Sequence, residues 1–520
     1  MNTVEKSLAQ SALALTAAVA ISRVFGLVRE TAIAHQFGTS PEYDAFLIAF
    51  LIPHLLRMLL AEGALSAAFI PLFSECLGKG RELAYRFGSN VLTVALIFFP
   101  ILILLGIWLA PQYIPFMADG FGPQKLELAS WLSNITFPFI MLMGIAAIFT
   151  GIQNSQDRFF MPAVASVFFN IGMIIGAFWI APNVNPPSLG LALGVLLGGL
   201  GQLLFQLPFL KKCFSYRPVF DLGDEGLRRL LALMLPALLG LIVVEINVMV
   251  DYKLASHLGD GQIASMQYAF RLFQLPLGLF AVALATVLLT RLSRFTGSDH
   301  RLEFASTLQH GLRLAALIIF PAAAGMVALG GPIISLLFEH GRFGSEDALR
   351  TLSVLRFLGV ALIGYGMSFL LARSFYALQE TRTPVVVSAI AVGVNIVLAL
   401  LLVGPLGIQG LALATTGAGF TQMILLALIL QKRLQTAILL KVAPVTAQIL
   451  VYALLMGVAV YGLDGQLAAL QAHELIRVGI GVMLGAGVYF FLIWHGALID
   501  EFVEFFPFVK RLVERFSKAR

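Results

Sequence analysis

Apolar runs of about twenty residues, each long enough to cross the hydrocarbon core of a bilayer as an α-helix, recur along the chain. A membrane β-barrel would instead show alternating segments of about ten residues. The pattern predicts an all-α polytopic membrane protein with about fourteen transmembrane helices, the first of them an uncleaved helix. The predicted helices cover residues 8–30, 42–74, 89–110, 127–153, 161–181, 189–210, 230–256, 264–292, 314–338, 348–378, 385–403, 409–431, 442–463 and 476–498.

The sequence pattern also indicates an internal repeat with a period of about 223 residues. Gln156–Asp157, followed by Pro162, recurs as Gln379–Glu380, followed by Pro384. We therefore predict two pseudo-symmetric six-helix halves, 1–215 and 216–435, and a segment 436–520 with two extra transmembrane helices and a basic tail. Parallel halves of this kind enclose a central cleft. The alternative is that apolar sequences align by chance.

Basic residues predict the orientation of the helices. Lys and Arg concentrate in alternate loops, at 79–86, 158, 211–229, 291–301, 382 and 432–441, and in the tail at 510–520. The other loops carry little beyond Lys125 and Arg342. Since Lys and Arg mark the cytoplasmic side of a membrane protein, we expect both termini in the cytoplasm.

Composition argues against an enzyme. Hydrophobic residues make up 59% of the 520 and charged residues 12%, whereas about a quarter are charged in soluble domains. The sequence holds no nucleotide-binding glycine motif, no HExxH and no Cys/His metal spacing. Cys76 and Cys213 fall near predicted cytoplasmic helix ends, where a disulfide is not expected. We expect a transporter with no cofactor and no metal.

Arginines inside the apolar runs mark the candidate site. Arg23, Arg29 and Arg57 lie in the first half, and Arg271 lies on the helix that corresponds to the one carrying Arg57. A charge at the bilayer centre costs roughly 2.5–3.5 kcal/mol on insertion scales, so it must face a partner or a wet cavity. Guanidinium groups bind phosphate oxygens in a bidentate fork, which predicts an anion-binding chamber. The alternative is that each arginine pairs with a nearby acid to hold helices together.

Acids and prolines supply further candidates. Glu30, Asp44 and Glu62 are assigned to gating or charge balance, although a solvated interfacial charge equally explains Asp44. Pro53 and Pro276 each remove one backbone hydrogen bond and permit a kink; the alternative is a static packing kink.

A second polar group lies in later helices. Asp251 and Asn395 form a candidate cation site, with a solvated interface as the alternative for Asp251. Arg356 and Arg373 lie inside apolar runs with no assigned role, and snorkelling to the interface is the simpler account of Arg373.

Several motifs carry a family resemblance. SRVFG, YDAFLIAFLIPHLLRMLLAEGALSAAFIPLFSE, RLFQLPLGLFAVALATVLL, PIISLLFEHGRF and FYALQETRTPV resemble the MurJ/MviN lipid II flippases of the multidrug/oligosaccharidyl-lipid/polysaccharide exporter superfamily. The resemblance implies the fourteen-helix fold, with the last two helices forming a groove for a lipid tail. It matches the family's functional arginines to Arg23, Arg29, Arg57 and Arg271, and its acids to Asp44 and Glu62.

The sequence departs from this family at two positions. Gln274 stands where several relatives carry a glutamate, and His54 replaces the usual asparagine. We therefore include Gln274 among the residues for gating or charge balance.

The resemblance implies a flippase of the bacterial inner membrane. It would move lipid II, the undecaprenyl-pyrophosphate-linked peptidoglycan precursor, from the cytoplasmic to the periplasmic leaflet by alternating access, coupled to membrane potential or a monovalent cation. Expected partners are lipid II, membrane lipids and cell-wall synthases, with no nucleic acid, and the protein is expected to be a monomer. The alternative is a related exporter of another polyprenyl-linked oligosaccharide or of drugs.

Overall fold

The computed structural model describes residues 3–59, 65–295, 300–496 and 498. Within those ranges all regular structure is helical, as the apolar runs predict. The helices are α1 Thr3–Phe37, α2 Pro41–Arg57, α3 Leu65–Lys79, α4 Arg81–Met117, α5 Pro123–Thr136, α6 Phe139–Asn154, α7 Phe160–Ile175, α8 Ser188–Leu210, α9 Glu225–Ser256, α10 Gln262–Pro276, α11 Val282–Leu292, α12 Arg301–Phe338, α13 Ser345–Ala377, α14 Arg382–Leu406, α15 Ile408–Leu434, α16 Ile438–Ala469 and α17 Glu474–His495.

Eleven helical segments among the described residues are long and apolar enough to cross a membrane, so the chain is a multi-pass membrane protein. They correspond to eleven of the predicted crossings. The other three, 8–30, 42–74 and 230–256, each contain several charged residues, and the count of fourteen stays a prediction. In place of one helix over 42–74, the structure has α2 and α3, and residues 60–64 lie outside the described ranges.

The chain divides into two compact units. Unit 1 comprises Met1–Ala264 with His340–Gly344, and unit 2 comprises Ser265–Glu339 with Ser345–Arg520. These units are defined by compactness and not by repetition of the sequence. They do not test the predicted halves, so the boundaries at 215 and 435 stay a prediction.

Glycines bring α7 and α8 of unit 1 into backbone contact. A Cβ atom at Gly172 would lie 2.2 Å from the backbone nitrogen of Gly198, and one at Gly194 would lie 2.9 Å from the Gly172 carbonyl oxygen. Small residues four apart produce such close packing between membrane helices. On its other side α7 packs along α1, so it forms the middle of a three-helix layer.

An aromatic cluster forms the core at one end of unit 1. Phe69 of α3 stacks on Phe73, with ring centroids 5.4 Å apart, and on Phe87 of α4, 5.6 Å away. All three rings are almost fully buried. Cys76 packs against this cluster and Cys213 is part of it, and both are free thiols.

Unit 2 is built around α12, α13 and α15, with α16 and α17 on its side. The hydroxyl of Tyr489 on α17 donates to the Leu317 carbonyl of α12 over 2.9 Å. Arg477 of α17 binds Asp464 of α16 in a bidentate pair of 2.8 and 2.9 Å, the strongest geometry for an Arg–carboxylate contact. The last two helices therefore form one hairpin attached to α12.

Two loops in different units share one conformation. Asp157 after α6 and Gln379 after α13 both adopt φ 59°. The following amides bond back five residues, from Arg158 to Gln153 and from Glu380 to Phe375, which is the Schellman helix ending. The shared conformation aligns Asp157 with Gln379. This alignment is shifted by one residue from the predicted pairing of Gln156 with Gln379, and it has the same spacing as the pair Pro162 and Pro384.

We expect Gly194→Leu to disrupt the contact between α7 and α8. Overpacking a core costs about 1–3 kcal/mol, and here the added side chain meets backbone atoms that cannot rotate away. The melting temperature of the purified protein should fall by several degrees. Gly393→Leu is the control, since a Cβ there meets nothing within 4 Å; equal melting temperatures for both variants would contradict the packing account.

Candidate functional site

Arg29 lies on α1 where that helix faces α7. Its Nη1 donates to Asn170 Oδ1 of α7 over 3.1 Å, and its Nη2 forms a salt bridge with Glu30. The guanidinium carbon also lies 5.7 Å from the ring centroid of Phe169, within the range of a cation–π interaction. The Arg29 side chain is 14% exposed, so this arginine is held by neighbours on two helices.

Asn170 is held in turn by α1. Its Nδ2 donates to the Ser22 carbonyl over 3.3 Å, and the Ser22 and Ser166 hydroxyls are 2.8 Å apart. Because the amide NH₂ is engaged by a carbonyl, the amide oxygen is left to accept from Arg29. Asn170 is buried and orients the guanidinium.

The salt bridge between Arg29 and Glu30 is the kind of ion pair expected if Arg29 has only a structural role. A guanidinium nevertheless has five N–H donors, and the contacts to Asn170 and Glu30 use Nη1 and Nη2 only. Arg29 therefore keeps capacity for an anion beside its structural partners. Its substrate-binding role stays a prediction.

The other predicted arginines lie in different surroundings. Arg23 is exposed on α1, and Arg57, at the end of α2, interacts electrostatically with Glu245 of α9. Arg271 is half-buried on α10 in unit 2. The structure thus places Arg23, Arg29 and Arg57 within unit 1, and a chamber that also includes Arg271 stays a prediction.

Asp44 lies at the start of α2 and is fully buried. Its Oδ2 accepts from Lys125 Nζ over 3.0 Å and from the Gly261 amide over 2.7 Å, while its Oδ1 accepts from the Ala264 amide over 2.9 Å. Gly261 immediately precedes α10 and Ala264 lies in its first turn, where the N–H groups have no partner within the helix. Asp44 therefore caps α10 from another helix, and it is not a solvated interfacial charge.

Lys125 completes this group. Its Nζ also contacts Asp260 Oδ1 at 2.7 Å and lies 3.9 Å from the centroid of the Phe121 ring. The Lys125 side chain is only 12% exposed. A buried amine between two carboxylates and an aromatic face locks the start of α5 to α2 and to the segment before α10.

A second ionic cluster joins the loop after α4 to the end of α9. Lys253 Nζ and His257 Nε2 each contact Asp119 at 2.8 Å. The pKa of the Asp119 carboxyl lies below its usual value, mainly because Lys253 donates a hydrogen bond to it, with His257 adding a second. Asp119 itself lies in the loop between α4 and α5, outside the apolar segments.

The remaining candidates are scattered. Glu62 lies outside the described residues. Gln274 is exposed on α10. Pro53 is buried inside α2, which continues to Arg57, whereas Pro276 ends α10 and a π-helical turn, Leu277–Ala281, follows before α11. A π turn is one of the defined causes of a bend in a helix.

The candidate cation site divides between units. Asp251 is buried in unit 1 and accepts from Asn247 Nδ2 over 3.2 Å. Asn395 is buried in unit 2, where its Nδ2 donates to Thr415 Oγ1 over 3.4 Å. Among the described residues no group of three His, Cys, Asp or Glu side chains could hold a metal ion. A cation site formed by Asp251 and Asn395 stays a prediction.

Two important contacts were not expected from the sequence. The sequence assigns no role to Asn170, and Lys125 stands out only as an exception among the loops that are poor in Lys and Arg. An isolated polar residue in an apolar run and an isolated cation in a loop poor in charge are the signals that could have identified them.

Comparison with known proteins places the chain in a family. A family model described as the lipid II flippase MurJ matches residues 33–478. The chain belongs to the MurJ family. A probable lipid II flippase MurJ from Vibrio cholerae is 37% identical over 436 residues, covering 82% of this chain and 83% of the relative. The lipid II flippase MurJ from Burkholderia cenocepacia is 35% identical over 424 residues, covering 79% and 82%.

Solved structures agree with this assignment. A lipid II flippase MurJ in an inward closed conformation has a TM-score of 0.79 at 29% identity, covering 93% of this chain and 99% of that one. An inward-facing multidrug transporter of the MATE family has a TM-score of 0.70 at 17% identity, covering 80% and 94%, a likeness that shows the fold alone. The MurJ relatives are named as flippases, so the family consists of transporters and not enzymes.

We expect Asp44→Ala to destabilise unit 1 strongly. Removing one member of a buried ion pair costs about 3–5 kcal/mol, because the other charge stays buried without compensation. Asp44→Asn should be intermediate, since its amide oxygen can still cap α10. Thermal unfolding of the purified protein measures both effects. Glu42→Ala, in the same first turn of α2, is the matched control, and a loss as large as that of Asp44→Ala would refute the capping role.

Proposed function

We propose that this protein translocates lipid II across the bacterial inner membrane, from the cytoplasmic to the periplasmic leaflet. The observation that carries the proposal is the family match over residues 33–478, together with relatives named lipid II flippases that cover four-fifths of the chain. The multi-pass helical fold supplies the scaffold that such a transporter needs.

Arginine chemistry suits the head group of this substrate. The pyrophosphate of lipid II is an anion with several acceptor oxygens, and guanidinium groups bind such oxygens through paired N–H donors. Arg23, Arg29, Arg57 and Arg271 are the proposed contacts. Arg29 is the best supported, because Asn170 and Glu30 hold its guanidinium in one orientation inside a membrane helix. The polyprenyl tail would stay in the bilayer.

Alternating access is the proposed mechanism. The two predicted halves would rock about a central site, exposing it first to the cytoplasm and then to the periplasm. Asp44, Glu30 and Gln274 would take part in gating or balance the charge of the arginines. The π-helical turn after Pro276 would allow the helix to bend there. Of these, the capping of α10 by Asp44 has direct support.

The energy source is proposed to be the membrane potential. Moving one charge through 100 mV is worth about 2.3 kcal/mol, and an anion moving outward is favoured when the inside is negative. A monovalent cation bound at Asp251 and Asn395 is the alternative coupling. The basic loops support cytoplasmic termini. We further propose a monomer that cooperates with cell-wall synthases and other membrane lipids.

Rescue of a bacterium depleted of its own lipid II flippase tests the function. The parent protein should restore growth and lipid II in the outer leaflet. Arg23→Ala, Arg29→Ala and Arg271→Ala should each insert at normal levels and fail to rescue, because each removes a donor to the pyrophosphate. Arg81→Ala, an exposed arginine at the start of α4, is the matched control and should rescue.

Three results would each contradict one part of the proposal. A parent that inserts but never rescues would favour export of another polyprenyl-linked oligosaccharide. Rescue by all three variants would show that these arginines are structural, as the ion pair of Arg29 with Glu30 alone would suggest. Unchanged lipid II transport in vesicles after the potential is collapsed would refute the proposed energy source.

A further inference from the structure

A pocket in unit 2 opens between α11 and α12. Its cavity volume is about 50 Å³, so it is a shallow groove and not a cavity that encloses a whole ligand. All of its lining residues belong to unit 2. The pocket lies outside the site described above.

The two walls of the pocket are single helix faces. Leu284, Val287, Leu288 and Arg291 of α11 follow the spacing of one face of an α-helix, and so do Thr307, His310 and Leu314 of α12. α11 ends at Leu292 and α12 begins at Arg301, so the ends of the two walls nearest this connection lie on the same side of the membrane.

Polarity changes along the depth of the pocket. Arg291 and Thr307 lie at the end of the groove nearest the connection between the helices. His310 lies deeper, level with Leu288, and Leu284 and Leu314 lie deepest. The connection is one of the basic loops that the distribution of Lys and Arg assigns to the cytoplasm. The pocket is therefore polar at the cytoplasmic surface and apolar towards the bilayer interior.

Arg291 gives the polar end a positive charge. Its side chain is exposed, and no acidic residue of the described ranges forms a salt bridge with it. Arg294 and Arg301 follow within the same connection and add to the positive potential. A ligand of this pocket must accordingly combine an anionic group with an apolar tail.

We propose that the pocket binds one anionic phospholipid of the cytoplasmic leaflet. Its phosphate would contact Arg291 beside Thr307, and an acyl chain would lie along Leu284, Val287 and Leu314. Basic pockets between transmembrane helices on the cytoplasmic side bind anionic lipid head groups. A free phosphate could not cover the leucines, whereas a lipid matches both ends. This site rests on the predicted orientation and is independent of lipid II transport.

Native mass spectrometry of the purified full-length protein tests the proposal. Phosphatidylglycerol and phosphatidylethanolamine with the same acyl chains are added at equal concentration, and the bound lipids are counted. The parent should retain phosphatidylglycerol about fivefold better, the effect of one basic residue near an anionic lipid. Arg291→Gln should lose this preference. Val287→Trp, which keeps every charge but fills the apolar wall, should retain less of either lipid.

Arg294→Gln is the matched control, because Arg294 is exposed and does not line the pocket. It should retain phosphatidylglycerol as the parent does. Melting temperatures without added lipid show that each variant is folded. The proposal is overturned if Arg294→Gln loses the preference as fully as Arg291→Gln, since the attraction is then diffuse surface charge. It is also overturned if either pocket variant binds like the parent, or if a polyprenyl pyrophosphate is retained and phosphatidylglycerol is not.

Discussion

A charge buried inside a protein must be matched by protein groups, and unit 1 is organised around two such charges. Arg29 is matched by Glu30 on its own helix and by Asn170 of α7. Asp44 is matched by Lys125 and by the first amides of α10. Both sets of contacts join helices that are far apart in the chain. The contacts that offset the free-energy cost of burying each charge therefore also specify how the helices pack.

The packing of α7 explains why Asn170 can orient an arginine. Gly172, two residues further on, brings the backbone of α7 against that of α8, so α7 is fixed from one side while Asn170 and Ser166 contact α1 from another. A polar side chain on a helix held in this way has little freedom to follow a moving partner. The orientation of Arg29 therefore depends on α8, although the contacts of its guanidinium are to α1 and α7.

The helical membrane fold could be predicted because an apolar run of sufficient length has few other structures available. The importance of Arg29 and Asp44 was predictable for the same reason, since charges in apolar runs are costly. Their partners were not predictable. Asn170 lies 141 residues from Arg29, and the rotation of α7 against α1 depends on packing that periodicity does not reveal. Asp44 was equally compatible with a solvated interface, because nothing in its neighbourhood indicates that it caps α10.

A double-mutant cycle of Arg29 and Asn170 tests most directly the claim that Asn170 orients Arg29. The measured quantity is the transport of lipid II into the outer leaflet of reconstituted vesicles. If Asn170 acts by orienting Arg29, then Asn170→Leu slows transport in the parent and has no further effect in Arg29→Ala. Asn90→Leu controls for loss of a buried amide, because Asn90 is a buried asparagine of α4 that bonds to the Asp221 backbone and is not part of the proposed site. Independent, additive effects of the Arg29 and Asn170 substitutions would contradict the claim and leave Asn170 as a packing residue.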